Sequence, residues 1–392
     1  MNNIDSLINY LSYSKELTIN PFGLGLTSCN NKCDFCIISN RMSNKDVPLE
    51  YFKQTTNNTK KWLNKYIDLL PEDITITFFF VAGELFYLGK EYFDLYIKTA
   101  QELSEIVKKK YSKIKFNLQS NLLSFNQENI DNFINLSKEI NKLTGNFSVT
   151  TSFDLQGRFS NEIILENWKK NLLYVQNELS KKVIVEMILT NPSLIRYNQE
   201  NDNFTQTLDF ILKNNDKFDV SFEEYILNEP KNSYLYPETT NLVEFYKKIN
   251  SKFPDHPVLY SYKYLTENYH INNSKPRAEC ILIQFSDKPF DDDIVYTDED
   301  LRIVSKNCLG GLLGNLIKYP KEEILKFNPQ NNDGLYCIYN KKEVLDYFEN
   351  KMGCAYCKYR PYCQPKCFIR SILKPYPERC QIKELFKLFS SI

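Results

Sequence analysis

Two hydrophobic patterns alternate along the first 255 residues. Short runs of β-branched and aromatic residues, typical of buried strands, occur at residues 18–27, 74–80, 114–119, 147–153, 183–189 and 220–227. Longer stretches with helical spacing lie between and after them, at residues 49–63, 90–110, 126–143, 162–177, 203–214 and 239–253. Six strand–helix repeats predict an α/β fold, in which a parallel sheet with right-handed crossovers curves into an open partial (β/α)6 barrel. Functional residues are then expected at the C-terminal ends of the strands.

The alternation stops after about residue 255. Residues 287–300 are acidic and irregular, and eight of the eleven cysteines lie beyond residue 255. A loop-rich segment of this kind needs cross-links, which metal–thiolate bonds can supply. The sequence therefore predicts a core domain over residues 1–255 and a loop-rich C-terminal domain over residues 256–392.

Composition narrows the classes of function. The 392 residues include 49 Lys and Arg against 49 Asp and Glu, so the formal net charge is zero. A neutral chain argues against nucleic acid as a partner, because such binding depends on neutralising phosphates. Only two histidines are present, which leaves little room for imidazole catalysis or a His-rich metal site. The eleven cysteines call for an explanation.

No targeting or membrane segment is apparent in the sequence. The first ten residues lack the basic start and apolar run of a secretory signal. The most apolar stretch, residues 74–88, is too short to span a bilayer and contains Glu84. A cytoplasmic location is therefore expected, where thiols stay reduced and clustered cysteines are metal ligands or catalytic groups.

Three cysteines lie close together after the first predicted strand. Cys29, Cys33 and Cys36 form a C-x3-C-x2-C spacing. Three thiolates this close can ligate three irons of one [4Fe–4S] cluster and leave the fourth iron open to a ligand. A zinc site would need a fourth ligand, and no nearby Cys or His offers one. The alternative interpretation is three incidental buried cysteines.

This motif, with the aromatic Phe35 before its last cysteine, resembles the signature of the radical S-adenosylmethionine (SAM) superfamily. The resemblance implies that the open iron chelates the amino and carboxylate groups of SAM. One-electron reduction would then cleave SAM to a 5′-deoxyadenosyl radical, which abstracts a hydrogen atom from the substrate.

The same resemblance implies a set of SAM-binding positions. Gly83 and Glu84 match a Gly-Gly-Glu-Pro element that binds the SAM amino group, although its first Gly and its Pro are absent here. Gln119 belongs to a run that resembles a pocket-lining Gln-Thr-Asn-Gly element. Ser152 and Arg158 match positions used for the SAM ribose and carboxylate, and a solvated loop cation is the alternative for Arg158.

A second cysteine motif lies near the C-terminus. Four cysteines have the spacing C-x2-C-x5-C-x3-C, and a fifth follows: Cys354, Cys357, Cys363, Cys367 and Cys380. Alone, this spacing also fits a structural zinc site. Together with the first motif it resembles the SPASM domain, which holds two auxiliary [4Fe–4S] clusters.

The resemblance to the SPASM domain also implies a ligand set. One auxiliary cluster would take Cys354, Cys357, Cys363 and Cys380, and the other would take Cys280, Cys308 and Cys367. The gap between Cys280 and Cys308 is longer than in the family pattern. Cys337 is left over, and it is an eighth ligand, a catalytic thiol that donates a hydrogen atom, or a plain buried cysteine.

Enzymes with this pair of motifs mostly modify peptides or proteins. The resemblance implies a thioether or carbon–carbon crosslink, an epimerisation or an oxidation, with flavodoxin or ferredoxin as electron donor. Only 28 residues precede Cys29. A leader-binding domain is therefore not expected before it. Either the barrel and the C-terminal domain capture the substrate, or a separate protein delivers it. The alternatives are a radical SAM enzyme that acts on a sugar or nucleoside, and a non-catalytic iron–sulfur electron-transfer protein.

Overall fold

The computed structural model describes residues 8, 11, 16–22, 29–31, 33–35, 48–80, 84, 89–111, 113–225, 234–259, 282–284, 356 and 381–390. Seven strands occur in these residues: β1 (Glu16–Asn20), β2 (Thr75–Phe80), β3 (Ile114–Ser120), β4 (Phe147–Phe153), β5 (Val183–Leu189), β6 (Phe218–Glu224) and β7 (Leu282–Gln284). The α-helices are α1 (Leu49–Tyr66), α2 (Lys90–Lys108), α3 (Gln127–Thr144), α4 (Glu162–Leu179), α5 (Asn191–Gln199), α6 (Asn203–Lys213), α7 (Thr239–Lys252) and α8 (Gln381–Ser390).

The strands form one parallel sheet in the order β6-β5-β4-β3-β2-β1-β7. The first six strands are therefore neighbours in sequence order. Because parallel crossovers are right-handed, this order places the connecting helices on one face of the sheet. The helices accordingly pack side by side, with α2 between α1 and α3, and with α4 against both α3 and α6.

The two faces of the sheet differ in chemistry. One face, here called the helix face, is apolar, with buried residues such as Ile76, Phe116 and Val185. The other, here called the polar face, carries the alternate residues of the same strands: Thr77, Asn117, Thr150, Ser152 and Glu186. A side chain moves to the opposite face with each step along a strand, so the register fixes both sets.

Local sequence explains how the helices begin and end. The Asn126 and Asn161 side chains accept hydrogen bonds from backbone N–H groups in the first turns of α3 and α4. Gly145 ends α3 in the left-handed region, at φ +67°, which suits a residue without a Cβ atom. In α6, Asp202 and Thr205 cap each other reciprocally.

The predicted α/β fold and parallel sheet are confirmed in the described residues. The first strand ends at Asn20, not at residue 27, because the Asn20 side chain accepts a hydrogen bond from the Phe22 amide and starts a turn. The sixth strand covers residues 218–224 in place of 220–227. Helices α5 and α8 and strand β7 were not predicted.

The loop-rich SPASM domain lies outside the described residues, apart from a few positions. The division at residue 255 stays a prediction. Two described segments beyond it contact the core: β7 pairs with β1, and α8 packs on α7 with the ring centroids of Phe389 and Tyr246 6.4 Å apart. No helix in the described part of the chain is long and apolar enough to cross a membrane.

Trp168 offers a test of the packing between α4 and the sheet. It is fully buried, and its ring lies 5.2 Å from that of Phe153 and 5.5 Å from that of Phe159. We expect Trp168→Ala to lower the free energy of unfolding by about 3–5 kcal/mol, because the substitution leaves a cavity. Ile163 on the same helix is 72% exposed. The control Ile163→Ala should therefore change that free energy by no more than about 0.5 kcal/mol. Urea denaturation of the metal-free protein measures both, and equal losses would contradict the packing described here.

Candidate active site

The carboxyl ends of the strands bring polar side chains together at one edge of the sheet. Glu84 follows β2, Asn121 follows β3 directly, and Asp154 and Arg158 follow β4. The loop after β1 contributes Cys29 and Cys33, which are both buried. The structure therefore places these side chains at the edge that the sequence predicted to carry function.

Several predicted site residues lie outside the described residues. Cys36 of the N-terminal motif is one of them, and Gly83, which precedes Glu84, is another. The others are all the remaining cysteines: Cys280, Cys308, Cys337, Cys354, Cys357, Cys363, Cys367 and Cys380. Their roles stay predictions.

Cys29 lies in a polar but buried environment. Its sulfur accepts a hydrogen bond from the Asn31 amide at 3.4 Å, and the Asn121 side-chain amide nitrogen lies 3.9 Å from the same sulfur. Burial, reinforced by the nearby Glu84 carboxylate, raises the pKa of Cys29 to about 12. A thiolate here consequently needs a compensating positive charge, which a metal ion supplies to its own ligands.

Glu84 is only 1% exposed and is held by its neighbours at the end of β3. One carboxylate oxygen accepts a hydrogen bond from the Ser120 hydroxyl at 2.7 Å, and the other accepts from the Asn121 amide at 2.6 Å. The sequence singled out Gln119 in this run. Gln119 lies on the polar face opposite Thr150, whereas the next two residues, Ser120 and Asn121, make the contacts with Glu84. Two small polar residues at the end of a buried strand are the signal that would have indicated them.

Arg158 and Phe35 connect the loop after β4 to the segment that carries Cys29, Cys33 and Phe35, here called the cysteine loop. The Arg158 guanidinium carbon lies 5.5 Å from the centroid of the Phe35 ring, and the Asn31 side chain donates to the Arg158 carbonyl at 3.0 Å. Gly157 has φ +107°, and a Cβ atom there would lie 3.8 Å from the Phe35 ring. The positive φ favours glycine at this turn.

The cysteine loop also reaches the far strands of the sheet. Cys33 and Phe35 share a small apolar cluster with Tyr225, which follows β6 directly, and with Leu235. Ile188 of β5 packs against this cluster. Cys33 therefore lies near the carboxyl ends of β5 and β6, while Cys29 lies near the end of β3.

Ser152 lies on the polar face beside an unusual carboxylate. It is opposite Glu186 in the register between β4 and β5. Burial, together with the Glu223 carboxylate on β6, raises the pKa of Glu186 to about 7. The sequence analysis did not single out Glu186, although a glutamate in the middle of the apolar run of β5 was a visible signal.

Asp154 is a second buried carboxylate that the sequence analysis did not select. One of its oxygens accepts from the Gln156 amide at 2.6 Å and from the Ser193 hydroxyl at 2.9 Å. Ser193 lies in the first turn of α5. Asp154 therefore fixes the loop that carries Arg158 to α5. An aspartate directly after a buried strand, followed by a glycine, would have indicated this turn.

The donor set fits an iron–sulfur cluster in chemistry. Cys29 and Cys33 are both buried, two hydrogen-bond donors face the Cys29 sulfur, and a third cysteine follows at Cys36. Among the described residues, which exclude Cys36, no group of three or more His, Cys, Asp or Glu side chains is arranged to hold a metal ion. The cluster ligand set therefore stays a prediction.

Comparisons with known proteins add little to this geometry. No protein-family model matches the chain, and no curated protein is significantly similar to it. One similar solved structure is coproporphyrinogen III oxidase (HemN) of Escherichia coli, which is described as a radical SAM enzyme. It is 11% identical, the TM-score is 0.38, and the match covers 66% of this chain and 60% of that chain. The chain thus spans about 60% of the length of that protein, and a likeness at this level assigns neither family nor activity.

Asp154 gives a test of site electrostatics. Burial raises its pKa from 3.8 to about 6 despite three opposing hydrogen bonds. The folded state then binds the proton more tightly than the unfolded state, so this carboxyl group lowers stability as the pH rises from about 4 to about 6. We expect the wild type to lose about 3 kcal/mol relative to Asp154→Asn across that window. Urea denaturation of both metal-free proteins at several pH values measures the difference. A difference that stays constant with pH would contradict the assignment.

Proposed function

We propose that this chain is a radical SAM enzyme that modifies a peptide or protein. The observation that carries the proposal is the position of the buried Cys29 beside Glu84 at the carboxyl edge of a parallel sheet. In this arrangement the thiol can bind the metal, and the carboxylate can accept hydrogen bonds from an amino group that is bound to the same metal. The spacing of Cys29, Cys33 and Cys36 supplies the three cluster ligands.

Each side chain has a distinct task in this proposal. Cys29, Cys33 and Cys36 hold the cluster, which when bound supplies one electron to the sulfonium of SAM. Glu84 accepts hydrogen bonds from the SAM amino group. One of its oxygens accepts a hydrogen bond from the Ser120 hydroxyl and the other accepts one from the Asn121 amide. Its orientation is therefore fixed before the ligand arrives.

Arg158 and the polar face serve the rest of the ligand and the substrate. Arg158 is half-buried against Phe35, where its guanidinium can pair with the SAM carboxylate. Ser152 is positioned for the ribose. Glu186 and Glu223 extend the polar face beyond it, and their carboxylates suit the amide or ammonium donors of a peptide.

The C-terminal cysteines support the peptide-modifying part of the proposal. Their spacing resembles the SPASM domain, so two auxiliary [4Fe–4S] clusters are proposed there. Flavodoxin or ferredoxin would deliver electrons. A separate protein would bind a leader peptide if the substrate carries one.

The cluster can be tested directly. We expect the full chain, reconstituted anaerobically with iron and sulfide, to form 5′-deoxyadenosine from SAM in the presence of dithionite. Cys29→Ala should abolish this product, because loss of one thiolate leaves the cluster under-ligated. Circular dichroism of the variant provides the control for folding. If the wild type gave neither a [4Fe–4S] spectrum nor 5′-deoxyadenosine, the proposal would be overturned.

Glu84 provides a second test. Glu84→Gln should weaken SAM binding at least about tenfold, since a hydrogen bond to a charged group contributes about 1.5–3 kcal/mol. Equilibrium binding to the reconstituted protein measures the change. The matched control is Glu16→Gln, because Glu16 accepts from the Thr77 hydroxyl at 2.8 Å but lies at the start of β1, at the opposite edge of the sheet. Equal effects of the two variants would argue against a role for Glu84 in binding SAM.

The substrate class needs its own test. A short open reading frame for a precursor peptide beside the gene would favour peptide modification. That peptide should then increase formation of 5′-deoxyadenosine and change in mass. If a sugar or nucleoside increased formation of 5′-deoxyadenosine and no such peptide did, the small-molecule alternative would be correct.

A further inference from the structure

Asn121 joins the two parts of the candidate site. It is 7% exposed and follows β3 directly. Its backbone amide donates to Glu84 at 2.6 Å, and its side-chain nitrogen donates to the Asn30 side chain at 2.7 Å. The same nitrogen lies 3.9 Å from the Cys29 sulfur. Asn121 therefore contacts both Glu84 and the segment that carries Cys29 and Asn30.

The orientation of the Asn121 amide follows from its surroundings. Its side-chain oxygen accepts a hydrogen bond from the Leu123 amide at 2.9 Å. A nitrogen in that place would face another donor, so the NH2 group must face the cysteine loop. There, one N–H is directed to Asn30, and the second is available to Cys29.

We propose that Asn121 is a positioning residue that raises the reduction potential of the cluster by donating a hydrogen bond to the Cys29 thiolate. The inference rests on the proposed function. A donor that faces a cluster thiolate stabilises the reduced, more negative state, and such hydrogen bonds are among the factors that set cluster potentials. The backbone amide of Asn121 also donates to Glu84, so this residue fixes the position of the Glu84 carboxylate relative to Cys29.

A purely structural role for Asn121 would be to hold the loop after β3. Asn171 of α4 holds the same loop from the helix face: its side chain donates to the Leu122 carbonyl at 2.9 Å and to the Ser124 carbonyl at 2.8 Å. Asn171 is also buried. Asn171→Ala therefore loosens this loop without removing the donor to Cys29, which makes it the matched control.

The experiment compares full-length wild type, Asn121→Ala, Asn121→Ser and Asn171→Ala, each reconstituted with iron and sulfide. The midpoint potential is measured by electron paramagnetic resonance during a dithionite titration. The N-terminal cluster is identified as the signal that changes when SAM is added. Asn121→Ser adds no charge and removes the NH2 donor, and its hydroxyl can accept from the Leu123 amide as the Ser120 hydroxyl accepts from the Leu122 amide at 3.0 Å. It therefore reports on the donor even if Asn121→Ala folds poorly.

We expect both Asn121 variants to reduce the equilibrium constant for cluster reduction about tenfold, a shift of about 59 mV for a one-electron couple. Asn171→Ala should leave the midpoint potential unchanged while it lowers the urea concentration at half-unfolding. The inference is overturned if both Asn121 variants keep the wild-type midpoint, or if Asn171→Ala shifts it equally. In either of these cases the proposed function stands, whereas a wild type without any cluster overturns both.

Discussion

All seven described strands run in the same direction, and the arrangement of the site depends on this constraint. Each connection between consecutive strands must return the chain to the amino edge of the sheet, and the helices do this on one face. The carboxyl edge is left to the loops. Residues as distant in sequence as Asn31 and Arg158 therefore meet there, joined by a hydrogen bond of 3.0 Å.

Buried carboxylates are concentrated at the carboxyl ends of the strands. Glu84 and Asp154 are both almost fully buried, and such carboxylates persist only where donors compensate the loss of water. Ser120 and Asn121 supply the donors for Glu84, while Gln156 and Ser193 supply them for Asp154. Cys29 has two donors near its sulfur, the Asn31 amide and the Asn121 side chain, but burial still raises its pKa. The effect of Glu84 on its pKa exceeds that of Arg158, so the described residues favour the neutral thiol until a cation binds.

The sequence predicted the repeating elements well, because each strand from β2 to β5 carries buried apolar or β-branched residues at alternate positions. It did not predict α5 or β7, because their nine and three residues are too few to show a clear period. It also did not predict α8, which lies in the segment that the sequence indicated to be loop-rich. Within the candidate site, motif spacing indicated Cys29, Cys33 and Glu84. It could not indicate Asn121, because that residue is defined by contacts with Asn30 and Cys29, which lie about 90 residues earlier.

The residues between Cys29 and Cys33 make contacts of their own with other parts of the protein. Asn30 accepts a hydrogen bond from Asn121 after β3, and Asn31 donates one to the carbonyl of Arg158 after β4. Phe35 packs beneath the guanidinium of the same arginine. The C-x3-C segment is thus attached to two different strand ends by the side chains of Asn30 and Asn31. Because its geometry is fixed by these contacts, less conformational entropy remains to be lost when a metal binds, and this preorganisation favours binding. The identity of Asn30 and Asn31 therefore bears on the affinity for the metal as well as on the fold.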